Sequence, residues 1–151
     1  MKKSFILLSL AFISFAFATE TFAQRKAASA AEVTGTFKLT SDANRSSEFK
    51  ILALGKGNLK VEFFTALKLG PNGDARGNTA NGIGVAIITS DFATFTPDGQ
   101  EPDACNITIK FVKLGQIKVT QEGDCGFISD TITTAGTYKR TSAAKPKFTE
   151  E

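Results

Sequence analysis

At 151 residues the chain is long enough for one ordinary domain and too short for two. It carries 18 Lys and Arg against 15 Asp and Glu, with two Cys, one Tyr, one Met and neither His nor Trp. Without His there is no His-based triad, no imidazole general base and no zinc site with His ligands, and two Cys cannot close a four-ligand zinc site. No metal, no cofactor and no enzymatic activity is expected.

Lys2 and Lys3 precede an apolar run over residues 5–17 that only Ser9 and Ser14 interrupt, and small-residue steps (Ala16-Phe17-Ala18, Thr21-Phe22-Ala23) follow it. The run is short for a bilayer span, so residues 1–23 read as a cleavable export signal of bacterial style, directing the protein to the periplasm or the medium. Its removal takes away Lys2, Lys3 and Glu20 and lowers the formal charge of +3 by one. Residues 24–32 (QRKAASAAE) are Ala-rich and polar and are expected to form a flexible lead-in; residues 141–151 (TSAAKPKFTEE) are expected to form a disordered tail. Residues 33–140 remain for one compact domain.

That domain alternates with period two. In residues 58–69, Leu59, Val61, Phe63, Thr65 and Leu67 share one face and Lys60, Glu62, Phe64, Ala66 and Lys68 the other, the pattern of a strand with one buried face. Residues 48–54 place Phe49, Ile51 and Ala53 together, and Gly55-Lys56-Gly57 between the two runs supplies a three-residue hairpin loop with Gly at its left-handed position. This register pairs Ala53 with Leu59, Ile51 with Val61 and Phe49 with Phe63. A second hairpin follows the same plan: Ile107, Ile109 and Phe111 face Val119 and Ile117 across Lys113-Leu114-Gly115, with Val112 expected opposite Gln116. Cys105 then lies opposite Gly123, one diagonal step from Cys125. In an oxidising compartment the two thiols are expected to form a disulfide across the open end of this hairpin, with a slip or bulge near Gly123. Neither a C-x-x-C spacing nor an activating base marks either Cys as catalytic.

Further strands are expected at 33–40, 82–89, 92–96 and 133–140, which makes eight. The first and last echo each other, Gly35-Thr-Phe37-Lys38 against Gly136-Thr-Tyr138-Lys139. Side by side they would close an antiparallel up-and-down eight-stranded β-barrel and remove both edges; a two-sheet β-sandwich is the alternative. An eight-stranded outer-membrane barrel is not expected, because the clearest strand exposes Lys60, Glu62 and Lys68 and the aromatic girdles are missing. The protein should therefore be soluble, not membrane-embedded, and a monomer. Its modest charge, spread along the chain, is no nucleic-acid footprint.

Two loops stand out. Residues 70–82 (GPNGDARGNTANG) are Gly-rich and long for a hairpin, a flexible connector that can cover one barrel end. Residues 97–104 (PDGQEPDA) gather Asp98, Glu101 and Asp103, which form a candidate partner-binding loop beside ordinary Pro-Asp-Gly turn chemistry. No carboxylate pair is spaced for general acid and base work. Inward-facing Phe37, Phe49, Phe63, Phe111 and Tyr138 would line the interior and contact any small apolar ligand held there.

The segments Cys105-Asn-Ile-Thr-Ile-Lys-Phe111, Ile117-Lys-Val-Thr-Gln-Glu-Gly-Asp-Cys125-Gly126 and Gly136-Thr-Tyr138 together resemble small exported bacterial barrels with a C…CG…GxY pattern, the lysozyme-inhibitor-like barrels. The resemblance implies a periplasmic, non-enzymatic protein. The Ser-Ala-Ser-Gly-type loop motif of c-type lysozyme inhibitors does not occur in the sequence. The expected function is an exported binding or interaction protein, inhibitor-like, that acts through barrel-end loops on a protein partner. The alternative is a carrier with a small apolar ligand in the barrel.

Overall fold

The computed structural model describes residues 28–67, 79–123, 125 and 132–149. The expected export signal and most of the Gly-rich 70–82 loop lie outside the described residues. A helical turn, α1 (Ala30–Val33), precedes eight antiparallel strands: β1 (Gly35–Leu39), β2 (Arg45–Gly55), β3 (Asn58–Leu67), β4 (Thr79–Thr89), β5 (Phe92–Phe95), β6 (Cys105–Lys113), β7 (Gln116–Gly123) and β8 (Gly136–Ser142). Each strand pairs with its neighbour in sequence, and β8 pairs with β1, so the sheet closes as an up-and-down barrel rather than a sandwich.

The two expected hairpins keep the registers that apolar matching dictates. Phe49 faces Phe63, Ile51 faces Val61 and Ala53 faces Leu59, while Ile109 faces Val119, Phe111 faces Ile117 and Cys105 faces Gly123. The tip of the second hairpin differs by one residue: a bulge between Phe111 and Lys113 sets Lys113, not Val112, opposite Gln116. The bulge lets the three-residue turn end at Gly115, which has φ of 73°. Cys105 and Cys125 are disulfide-bonded, with Cα atoms 4.5 Å apart. Gly123 makes this approach possible. It has φ of +80°, and a Cβ there would fall 2.2 Å from the Ala104 carbonyl oxygen.

The interior is built from unequal walls. β4 turns Ala80, Gly82, Gly84 and Ala86 inward, against Thr65, Phe63, Val61 and Leu59 of β3. The missing side chains leave room for large ones. The Phe63 and Phe95 rings stand edge to face at 6.2 Å, Phe63 stacks on Phe49 at 5.6 Å, and Phe49 meets Tyr138 edge-on at 5.0 Å. Phe37, Phe49, Phe63, Phe95 and Tyr138 are all fully buried in this core.

The described parts of the lead-in and the tail are more ordered than their composition implies. The lead-in is not flexible throughout: the Ser29 N–H donates to the Glu32 carboxylate at 2.7 Å, Val33 is buried, and Arg140 donates to the carbonyl oxygens of Ala31 and Thr34. Val33 therefore ends a helical turn instead of opening the first strand. The tail is likewise not disordered over its described part. Pro146 is buried, the Lys60 ammonium lies 4.9 Å from the Phe148 ring centroid, and the Thr149 N–H donates to Glu62 at 3.0 Å. Residues 143–149 form a strap over the outer wall.

Two stability outcomes follow from this packing. A Cβ on Gly82 would fall 2.6 Å from Phe63 Cε1 and 3.0 Å from the Pro97 side chain. Gly82→Ala should therefore cost about 1–3 kcal/mol in chemical denaturation. Reduction of the disulfide, which spans 20 residues, should lower stability by about 3 kcal/mol in the same measurement.

Candidate functional site

The connections are distributed unequally between the two barrel ends. At one end the turns are short (55–57, 90–91, 114–115), and α1 packs there: the Ala28 N–H donates to the Ser90 carbonyl oxygen at 3.1 Å. At the other end lie all the longer connections, 40–44, 68–78, 96–104 and 124–135. Up-and-down order sends alternate connections to opposite ends, and in this sequence the longer ones are all at alternate positions. The second end bears the long connections and is termed the open end.

A polar network sets the frame of the open end. Arg45, buried at the start of β2, donates through its two terminal nitrogens to the carbonyl oxygens of Thr133 (2.5 Å) and Ala135 (2.6 Å), and pairs with Asp42 at 3.7 Å. Gln121 Oε1 accepts the Thr134 N–H at 2.9 Å and its hydroxyl at 3.0 Å. The Tyr138 hydroxyl donates to the Thr134 carbonyl oxygen at 2.5 Å and lies 2.9 Å from Ser47 Oγ, which also accepts from Thr65. These bonds hold residues 132–135 away from the sheet, so β8 begins at Gly136 instead of residue 133. Burial pushes the Tyr138 phenol up, against the opposing effects of the Ser47 hydrogen bond and the Arg45 charge. It is a neutral donor within the frame.

The acidic loop is held at three points. Pro97 is buried, the Asp98 N–H donates to the Ile83 carbonyl oxygen at 2.7 Å, and Cys105 is tied to Cys125. Between these anchors, the N–H groups of Ala104 and Cys105 both donate to the Glu101 carbonyl oxygen, at 3.0 and 3.1 Å. Asp98, Glu101 and Asp103 are exposed on this fixed backbone. Among the described residues, no group of three or more His, Cys, Asp and Glu side chains is placed to hold a metal ion.

Phe37, Phe49, Phe63, Phe111 and Tyr138 all face the interior, where they are buried. A cavity of about 650 Å³ lies instead on the outer wall across β1–β4, and its lining includes Lys38, Glu48, Lys50, Glu62, Phe64 and Ile83, with Thr149 of the strap at its border. Of these positions, Glu62 and Phe64 fall on the outward face of the 58–69 alternation, and no motif marks the groove. The outward aromatic Phe64 was its one local signal.

The chain matches no family model, and no curated protein or solved structure is significantly similar to it.

Glu62 is the hinge of the strap's attachment. It accepts from Lys50 at 3.2 Å and from both the N–H and the hydroxyl of Thr149. Burial pushes its carboxyl up, but the Thr149 hydrogen bonds and the Lys50 ammonium outweigh that, and the group ionises below its ordinary value. A lowered value means the contact favours the ionised form: it is fully present above the ordinary carboxylate range and is lost as pH falls through the lowered value. The Thr149 amide resonance should therefore titrate with an apparent pKa below that of an exposed Glu, and Glu62→Gln should abolish the transition. A Thr149 transition at or above the ordinary glutamate value, or one that persists in Glu62→Gln, would contradict the attachment.

Proposed function

We propose that the protein is an exported, non-enzymatic binding protein of the bacterial periplasm or medium, inhibitor-like in its mode of action, that meets a protein partner through the loops of the open barrel end. The observation that carries this reading is the acidic loop: three exposed carboxylates on a backbone fixed by a buried proline, a hydrogen bond to β4 and a disulfide. A loop held in place before contact loses little conformational freedom on binding, which favours affinity. Its charge suits a basic partner and would draw it in against the net positive charge of the whole chain. The resemblance of the C-terminal half to lysozyme-inhibitor-like barrels supports the same direction. The inward aromatics are in contact with one another, which favours an interaction module over a carrier.

The test uses a basic c-type lysozyme as the probe and the variant Asp98→Ala/Glu101→Ala/Asp103→Ala. Folding should be nearly unaffected, because exposed loop charges contribute little to stability. The association rate should fall, most strongly at low ionic strength where screening is weakest. An unchanged rate at low salt would remove this loop from the binding surface.

A further inference from the structure

The echo between β1 and β8 leaves a residue pattern that the fold itself does not require. Lys38 stands directly opposite Lys139 across the closing β1–β8 ladder, and Lys110 stands directly opposite Lys118 across β6–β7. Gln116 and Thr137 connect the two pairs across β7–β8, facing Lys139 and Lys118 respectively. One exposed lysine from each of four consecutive strands, β6, β7, β8 and β1, thus forms a belt around the outer wall. Thr36, Thr108, Thr120 and Thr137 share this face.

Like charges directly opposite in a sheet destabilise it. The same barrel shows the ordinary solution one strand further on, where Lys38 pairs with Glu48 at 3.6 Å and Lys50 pairs with Glu62 at 3.2 Å. Lys110, Lys118 and Lys139 have no ion pair with a carboxylate among the described residues. The β6–β7 hairpin brings Lys110 to Lys118 and the β7–β8 pairing adds Lys139, while closure of the barrel adds Lys38 from the other end of the domain.

From this register we infer that the lysine belt binds a linear acidic polysaccharide, a flexible polymer that bears a carboxylate or sulfate on successive sugars. Three features select this partner. Eight strands close the wall, so three steps of about 45° separate β6 from β1, and a flat membrane cannot reach all four lysines while a flexible chain can follow the curve. The outward positions beside the lysines include Thr36, Thr108, Gln116, Thr120 and Thr137, whose hydroxyls and amide suit sugar hydroxyls. One exposed aromatic, Phe92, flanks the belt opposite Lys110 and none stands between the lysines, so the successive stacking platforms that single-stranded nucleic acids use are missing from these four strands. The site is separate from the acidic loop and does not depend on the role proposed for it.

The full chain would be titrated with polygalacturonate, dextran sulfate, neutral dextran, duplex DNA and anionic phospholipid vesicles. Lys118→Glu/Lys139→Glu converts both like-charge pairs into opposite-charge pairs. It should weaken binding to the two acidic polysaccharides by roughly tenfold or more. The same variant should melt a few degrees higher than the parent, because the register repulsion becomes attraction. Lys56→Glu/Lys147→Glu, with the same change in net charge away from the belt, should bind within about twofold of the parent. Binding to acidic polysaccharide, lost with the belt and accompanied by a raised melting temperature, supports the inference. Equal losses in the two double variants, absence of polysaccharide binding, or tighter binding to DNA or vesicles would overturn it.

Discussion

Everything in this protein depends on the ladder between β1 and β8. A sheet of eight strands left open would present two edges of unpaired N–H and C=O groups, both available to other chains. Pairing Phe37 through Leu39 with Tyr138 through Arg140 removes them and turns Phe37 and Tyr138 into the same core. Closure is also what gives the molecule two distinct ends. With the order up-and-down, odd and even connections fall at opposite ends, and the longer ones share one end because the sequence places them at every other connection. Its cost is visible in the register. β1 must shift by a residue between Thr36 and Phe37, and the ladder sets Lys38 against Lys139.

Much of the fold was legible because alternation constrains register tightly. A one-residue slip of β3 against β2 would send Leu59, Val61 and Phe63 to solvent, so matching apolar partners across Gly55-Lys56-Gly57 left a single answer. The disulfide was legible for the same reason, since the β6–β7 register carries Cys105 to Gly123. What sequence did not disclose is tertiary in origin. The Glu62 carboxylate sits in a strand whose outward face reads as ordinary solvated surface, and nothing in that face announces that Thr149 will dock on it. The α1 turn has a local signal, Ser29 three residues before Glu32, but its docking requires Arg140 from the far end of the chain.

The candidate site divides in the same way. The acidic loop could be read as a composition, three carboxylates within six residues, but not as a fixed object. Its rigidity comes from Ile83 on another strand and from the disulfide partner. The five inward aromatics were legible as inward-facing, whereas their mutual packing depends on Gly82 and Gly84. In sequence Gly82 ends the Gly-rich loop and opens the expected strand 82–89 that contains Gly84; in the barrel the two glycines serve as space for the Phe63 and Phe95 rings. Small residues on one wall and large ones on the next are a single packing decision spread over two strands.

Charge illustrates most clearly why composition underdetermines surface chemistry here. A net charge of +3 spread along the sequence suggests an unremarkable surface. Folding nevertheless groups some like charges. Carboxylates at 98, 101 and 103 stay together at the open end, while lysines at 38, 110, 118 and 139 meet on adjoining strands of the wall. Within β1 both outcomes touch one residue: Lys38 faces Glu48 on one side and Lys139 on the other. Stability alone would favour a carboxylate at both neighbours. The β2 side follows that rule and the β8 side breaks it, so Lys139 does not follow from what holds the barrel closed.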